Sequence, residues 1–398
     1  MERSPMTGSP KVLAATLLVA SIAAVGVGQR ALQGAAQGKA VQAPTFDVDP
    51  FWPQPLPNHW VLGSVIGVGV DARDHVFIVH RQQTLNARTE IGAASNPPTG
   101  ECCTPAPPVL EFAPDGKLVN AWGGPGEGYT WPESNHGIAI DHKDNVWIGG
   151  NGQGDSHILK FTHEGKLLQQ IGLPGQGANS NALEHFGRVA KISFDAAANE
   201  AYVSDGYSNK RVAVLDMNTG AIKRYWGAYG NKPDDTNLGP YNPDAPLTQQ
   251  FRNPVHCAEP SNDGLVYVCD RPNDRIQVFQ KDGKFVKEAR IAPRTLGDGS
   301  VWDIAFSKDP QQKYIYLADG KNERVYVIER QSLDVLTSFG DGGRQPGQFF
   351  AVHSIATDSK GNIYTTETYE GKRLQKFVYK GLAPVTAKNR GVPWPGRR

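Results

Sequence analysis

The sequence predicts an all-β protein built as a six-bladed β-propeller. Beyond Phe46, an alternating strand, a turn and a second β-rich strand recur in six copies. In most copies an Asp-Gly, Glu-Gly or Thr-Gly turn then connects two further strands, which is a hairpin signal. No segment shows the sustained 3.6-residue apolar period that would indicate an amphipathic helix.

Each copy predicts a four-stranded meander. The six strand pairs read VIGVGVDARDHVFIVHR, HGIAIDHKDNVWIGG, AKISFDAAANEAYVSDGY, HCAEPSNDGLVYVCDR, WDIAFSKDPQQKYIYLADG and HSIATDSKGNIYTTET. A lone meander cannot bury both faces, so the copies pack side by side, and closing the ring protects the sheet edges. The last copy is one strand short. We expect an N-terminal strand, in the segment containing HWVLG, to close the ring.

The propeller is expected to span residues 45–385, with residues 386–398 as a C-terminal tail. Arg3 and Lys11 precede an apolar run over residues 12–28, and small residues follow it. This order is typical of a secretory signal peptide, with an uncleaved N-terminal anchor as the alternative, so residues 1–40 are assigned to one of the two. The expected location is secreted or periplasmic.

Composition excludes some partners. The chain has 398 residues with 41 Lys+Arg and 40 Asp+Glu, a net charge of +1. That charge offers no field for nucleic acid or an anionic membrane, so we expect neither partner beyond the N-terminal anchor, and we expect a monomer. Two insertions, residues 82–108 and 229–251, are rich in Pro, Gly and Asn and are expected to be surface loops near one mouth of the channel.

The chain contains four cysteines. Cys257 and Cys269 flank the SNDG turn of the fourth copy, so a hairpin there would set them opposite each other, within reach of a disulfide. We hold that bridge as a hypothesis. Cys102 and Cys103 are adjacent in a Pro-rich segment, and we interpret them as structural.

One position of the repeat carries histidine in alternate copies. Aligned on the turn that follows the first strand, this position reads Ile66, His136, Ala190, His256, Trp302 and His353. The first strand of each blade lines the axis, so alternate blades aim equivalent residues at one point from about 120° apart. Three neutral imidazoles with an open fourth position are typical of a catalytic zinc site. The alternative for any single histidine is a hydrogen-bonded core or turn residue.

Three further polar residues are expected at the same mouth. Arg81, Tyr207 and Arg271 follow the second strands of their copies, and in a hairpin that end shares one edge with the start of the first strand. Two arginines can hold a carboxylate, and a tyrosine hydroxyl can exchange a proton. The alternative is that each is a solvated strand end.

The sequence resembles a known family at these positions. The segments HGIAIDHKDNVWIGG, SDGYSNKRV, NPVHCAEPSNDGLVYVCDRPNDRIQVF and FIVHR are similar to the NHL-repeat propeller of peptidyl-α-hydroxyglycine α-amidating lyases. The resemblance implies zinc on His136, His256 and His353. It also implies a catalytic Tyr207, active-site arginines at Arg81 and Arg271, and cleavage of a C–N bond in a small peptide-like α-hydroxy amide to give an amide and glyoxylate.

The resemblance also implies a structural calcium. Its ligands would be the backbone carbonyls of Val68 and Ile138 and an Asp directly after the third histidine. That position is Ser354, a neutral donor where a hard cation prefers a carboxylate, so the calcium ligand set is incomplete.

Two other functions remain open. The first is a noncatalytic exported propeller that binds a protein or peptide. The second is a calcium-dependent lactonase-like hydrolase. It is disfavoured because its Glu/Asn/Asp cage has no counterpart at the aligned positions, which are His or apolar.

Overall fold

Six four-stranded sheets surround a common axis in the computed structural model, which describes residue 1 and residues 40–396. The signal peptide or anchor predicted for residues 1–40 lies outside the described residues except for its two end residues. The description below concerns the compact unit that begins at Ala43.

The strands are short. Their spacing along the chain is irregular only at the insertions. The first half of the chain contains β1 (Gln42–Asp49), β2 (Trp60–Val61), β3 (Ser64–Val70), β4 (Val76–Arg81), β5 (Thr104–Pro105), β6 (Val109–Phe112), β7 (Leu118–Trp122), β8 (Asn135–Ile140), β9 (Val146–Gly150), β10 (His157–Phe161), β11 (Leu167–Gly172), β12 (Val189–Asp195) and β13 (Glu200–Asp205). The second half contains β14 (Arg211–Asp216), β15 (Ile222–Trp226), β16 (Val255–Pro260), β17 (Leu265–Asp270), β18 (Arg275–Gln280), β19 (Phe285–Arg290), β20 (Asp303–Phe306), β21 (Tyr314–Asp319), β22 (Arg324–Glu329), β23 (Val335–Phe339), β24 (Val352–Thr357), β25 (Ile363–Glu367) and β26 (Leu374–Pro384). Single turns of 3₁₀-helix occur at Gln82–Thr84, Gly92–Ala94, Ala228–Gly230 and Arg271–Asn273.

Each blade is a meander that runs outward from the axis. The six sheets have the strand orders β3-β4-β6-β7, β8-β9-β10-β11, β12-β13-β14-β15, β16-β17-β18-β19, β20-β21-β22-β23 and β24-β25-β26-β1, which are called blades 1 to 6. The first strands of neighbouring blades contact one another around the ring, including β24 with β3. The predicted six-bladed, all-β architecture is confirmed.

A recurring aspartate shapes the turn between the first two strands. Its carboxylate accepts hydrogen bonds from the backbone N–H groups two and four residues later, at 2.8–3.0 Å, which closes an Asx turn. The residues that do this are Asp71, Asp141 and Asp358. The Asp that marks the repeat in the sequence is therefore a turn residue.

The strand beside β26 differs from the one predicted. The sheet of blade 6 contains β1, and Thr45 Oγ1 donates to the Gly381 carbonyl of β26 at 3.1 Å. The segment HWVLG does not have this role, because Trp60 and Val61 form a short parallel ladder with Thr104 and Pro105 of the first insertion. The alternation in PTFDVD buries Phe46 and Val48 in the core shared by blades 5 and 6.

The segment after β26 packs on blade 5. Backbone hydrogen bonds connect Ser338 of β23 with Lys388 and Arg390, at 2.9 and 2.8 Å, and Gly340 with Gly391 at 2.9 Å. The Val48 N–H of β1 also donates to the Pro393 carbonyl at 2.7 Å. The predicted tail is thus hydrogen-bonded to two blades over its described part.

No helix among the described residues has the length and apolarity needed to cross a membrane.

The structure pairs all four cysteines. Cys257 and Cys269 are direct partners in the β16–β17 ladder and form a disulfide buried between blades 4 and 5. Cys102 and Cys103 form a disulfide between neighbours in the first insertion.

We predict that the buried disulfide contributes measurably to stability. In a Cys102→Ser/Cys103→Ser background, adding Cys257→Ala/Cys269→Ala should lower the free energy of unfolding by about 3 kcal/mol. The bridge closes a loop with a sequence separation of 12 residues, which restricts the unfolded chain. Urea unfolding with and without reductant measures this. Reductant should destabilise the parent by the same amount and leave the alanine variant unchanged, and a parent insensitive to reductant would contradict the bridge.

Candidate metal centre

Three buried histidines meet on the propeller axis. His136, His256 and His353 are each the second residue of the first strand in blades 2, 4 and 6. One ring nitrogen from each lies within 4.8 Å of the others, and the ring centroids are 4.9–5.2 Å apart. The alternate-blade register therefore brings the three predicted ligands to one point.

Backbone carbonyls of the intervening blades fix the orientation of these imidazoles. Nδ1 lies 2.6 Å from the Ala190 carbonyl in His136, 2.5 Å from that of Trp302 in His256, and 2.7 Å from that of Ile66 in His353. A carbonyl can only accept, so each Nδ1 carries the proton and each Nε2 carries a lone pair. The acceptors occupy the same repeat position as the histidines, one blade further on. This is the outer hydrogen bond that commonly orients a metal-binding histidine.

The Tyr207 hydroxyl lies between two of the free lone pairs. Its oxygen is 2.8 Å from Nε2 of His136 and 3.1 Å from Nε2 of His256. One hydroxyl proton can satisfy only one of these acceptors, and Nε2 of His353 is a third lone pair in the same cluster. A donor set with more lone pairs than protons suits a cation, and three imidazole nitrogens suit zinc.

Burial keeps the imidazoles neutral. Desolvation lowers the pKa of His353 to about 3, with a further contribution from the charge of Arg271. Burial also lowers the pKa values of His136 and His256 well below the usual range, assisted by His353 and Arg81 for the former and by Arg271 for the latter. Neutral imidazole is the form that binds metal, so protons do not compete for the site at neutral pH.

Arg271 lies directly beside Tyr207. Its NH1 is 3.5 Å from the Tyr207 hydroxyl, and its guanidinium stacks on Trp302 at 4.6 Å from the ring centroid. Asp298 approaches at 3.6 Å, while the buried Nε has no protein partner. The charge is therefore held in place by packing, and part of its hydrogen-bonding capacity remains for another molecule.

Arg81 is held by residues that neighbour the first histidine and not by the histidine itself. Its Nε donates to the Asn135 carbonyl at 3.0 Å and its NH2 to Asn151 Oδ1 at 2.7 Å. Asn135 precedes His136 on β8, so Arg81 is anchored to the strand that carries the first histidine. Burial lowers the pKa of Arg81, but a guanidinium remains charged at neutral pH.

The sequence did not single out four residues of this region. Asn151 and Tyr369 follow the second strands of blades 2 and 6, as Tyr207 and Arg271 follow those of blades 3 and 4, and that shared position could have identified them. Burial raises the pKa of Tyr369, and the charges of Asp298 and Arg271 also act on its phenol, as expected at this mouth. Trp302, the platform for Arg271, occupies the histidine register and Lys191 directly follows it, so their place near the axis could have been predicted but not their partners.

The residues predicted for calcium lie on the axis beside the histidines, and Ile138 and Ser354 line one small cavity with them. Val68 and Ile138 line a channel together with Lys191 and Glu259. Ser354 Oγ donates to Asp303 Oδ2 at 2.7 Å.

Comparison with known proteins gives partial matches. No protein-family model matches the sequence. NHL repeat-containing protein 3 is 26% identical in Mus musculus over 357 residues, or 85% of each chain. In Homo sapiens it is 27% identical over 290 residues, covering 68% of this chain and 73% of that one. Peptidyl-glycine alpha-amidating monooxygenase B of Xenopus laevis is 25% identical over 269 residues, covering 66% of this chain and 27% of that one.

The match to the monooxygenase thus spans about a quarter of that protein. Among solved structures, streptogramin B lyase aligns with a TM-score of 0.49 at 11% identity, covering 84% of this chain and 98% of that one. The chain is an NHL-repeat six-bladed β-propeller, and its homologues include NHL repeat-containing protein 3 and part of the peptidyl-glycine alpha-amidating monooxygenases.

Proposed function

We propose that this protein is a zinc-dependent carbon–nitrogen lyase that cleaves an α-hydroxyglycine-type amide into a primary amide and glyoxylate. The observation that carries the proposal is the arrangement of three Nε2 lone pairs around one point, with the Tyr207 hydroxyl between two of them. The similarity to part of the peptidyl-glycine alpha-amidating monooxygenases supports a reaction that forms a peptide amide. The order of residues in 1–40 supports a secreted or periplasmic location.

The three histidines would hold zinc, which when bound supplies a Lewis acid that polarises a substrate oxygen. Arg271 and Arg81 would attract and orient the terminal carboxylate of the substrate. Arg271 would contact the carboxylate through its terminal nitrogens, because NH1 borders the Tyr207 hydroxyl. Asn135 and Asn151 accept from two of the five N–H donors of Arg81, which fixes its orientation and would leave its charge and remaining donors to act on the carboxylate.

Tyr207 would move the proton. With its own proton already lost, the Tyr207 phenolate oxygen would accept the proton of the substrate hydroxyl while a carbonyl forms on that carbon and the adjacent C–N bond breaks. The departing amide nitrogen takes up that proton, so one molecule of substrate gives one amide and one glyoxylate. No other reactant enters this balance.

A second candidate is a noncatalytic propeller that binds a protein or peptide partner. The observation in its favour is the similarity to NHL repeat-containing protein 3 along 85% of both chains. The lyase proposal requires a bound metal and the release of a product, whereas the binding proposal requires neither. Zinc content and glyoxylate release therefore distinguish them.

We predict one zinc per chain in the purified protein, held by the three histidines. His256→Ala should weaken zinc binding by at least about a hundredfold, because it removes a direct ligand and not merely an outer hydrogen bond. Elemental analysis after dialysis against a weak chelator measures this. His142→Ala, at an exposed turn residue, is the matched control and should retain zinc. Full zinc occupancy in His256→Ala would reject the three-histidine site.

We predict that Tyr207→Phe lowers turnover by about 10²- to 10⁴-fold while zinc content stays at the wild-type level, since it removes the proton acceptor and no metal ligand. Glyoxylate release from an α-hydroxyglycine peptide measures turnover. Tyr225→Phe, on an outer strand, controls for the loss of a phenol and should keep wild-type turnover. Zinc-loaded wild type that releases no glyoxylate would favour the binding function.

A further inference from the structure

A second polar layer lies on the axis beside the histidines. Lys191, Asp303 and Ser354 each follow a residue of the histidine register, on the first strands of blades 3, 5 and 6. All three line one small axial cavity together with the three histidines. Glu259, on β16 of blade 4, lies against the same layer.

One ammonium group connects the acidic residues of this layer. Lys191 Nζ is 2.6 Å from Asp303 Oδ1 and 2.7 Å from Glu259 Oε1. The other oxygen of Asp303 accepts from Ser354 Oγ at 2.7 Å and from the Ile355 N–H at 3.0 Å. The lysine therefore ties blade 3 to blades 4 and 5, and Asp303 extends the network to blade 6.

We infer that Lys191 is a built-in axial cation that takes the place of a bound calcium ion, so that this layer is complete without a divalent metal. The inference does not depend on the proposed lyase function.

The donor set explains why calcium does not fit. Calcium takes six to eight oxygen ligands, among which carboxylates dominate. Here both carboxylates already contact an ammonium, and the hydroxyl at the position of the implied acidic ligand donates its proton to Asp303. A divalent ion among these groups would face the fixed positive charge of Lys191.

The ammonium is also suited to a permanent role. Its side chain is 14% exposed and that of Asp303 is 2% exposed, so solvent screens the pair weakly. Although burial opposes it, the carboxylates of Asp303 and Glu259 raise the pKa of Lys191, and the group stays charged. Removing one partner of such a pair leaves a buried charge without compensation, which strongly destabilises a fold.

Calcium titration of the full-length, metal-stripped protein tests the inference. Wild type should show no calcium-binding heat by calorimetry and no change in Tm with added CaCl₂. Lys191→Met should lower the Tm by about 10 °C, and calcium should not restore it. Stoichiometric calcium binding that raises the Tm of wild type would overturn the inference, as would a Lys191→Met variant as stable as wild type.

A variant that lacks the ammonium and has an added carboxylate tests whether Lys191 excludes calcium from this layer. Lys191→Ala/Ser354→Asp removes the ammonium and adds a third carboxylate, so calcium should raise its Tm by several degrees through ligand binding to the native state. The control is Lys160→Met/Ser354→Asp. Lys160, on β10 of blade 2, is another buried lysine that lies outside the axial layer. Its Nζ is 3.9 Å from Asp141 and donates to the Met217 carbonyl, which follows β14 of blade 3.

Calcium should not raise the Tm of the control, because its Lys191 is intact. Equal calcium stabilisation of both double variants would overturn the inference. If the Lys191→Ala/Ser354→Asp variant does not fold, the wild-type titration still decides. Zinc content, measured on each purified protein before its metal is stripped, separates failure of the histidine site from failure of this inference.

Discussion

The hydrogen bonds that cross from alternate blades to the blades between them are the constraint on which the centre depends. Each imidazole reaches the axis from one blade and donates its Nδ1 proton to a carbonyl of the next. The ring therefore needs both kinds of blade, three that supply a side chain and three that supply backbone. Because a carbonyl places no demand on its own side chain, Ile66, Ala190 and Trp302 can differ while the geometry is kept.

The mouth of the channel is also built from equivalent positions of the blades, but these carry other residue types. Residues that follow the second strand lie above the histidines and bring Tyr207 and Arg271 to the open side of the cluster. Trp302 connects the mouth with the histidine cluster, since its carbonyl orients His256 while its ring supports the guanidinium of Arg271. A scaffold of six near-identical hairpins can thus carry an asymmetric site, because each blade contributes a different residue at an equivalent position.

Two layers of side chains with different charge states lie on the axis. Neutral imidazoles with free lone pairs form one layer, where burial has removed the protons that would compete with a cation. The neighbouring layer holds its own cation in Lys191, paired with Asp303 and Glu259. The ion pairs of the Lys191 layer offset the cost of burying its charges, whereas the histidine layer has buried lone pairs that a bound cation would satisfy.

The sequence by itself determined the repeat, the number of blades and the histidine register, and it raised the Cys257–Cys269 bridge as a hypothesis. These follow from strand alternation and turn spacing, which are local properties of the chain. Only the tertiary structure decided that Gln42–Asp49 lies beside the last blade, which carbonyl meets each Nδ1, how Asn151 holds Arg81, and where the Lys191 ammonium finds its carboxylates. Each of these contacts joins residues of different blades or of opposite ends of the chain. No local pattern encodes such a partner, because it is chosen by the closure of the ring.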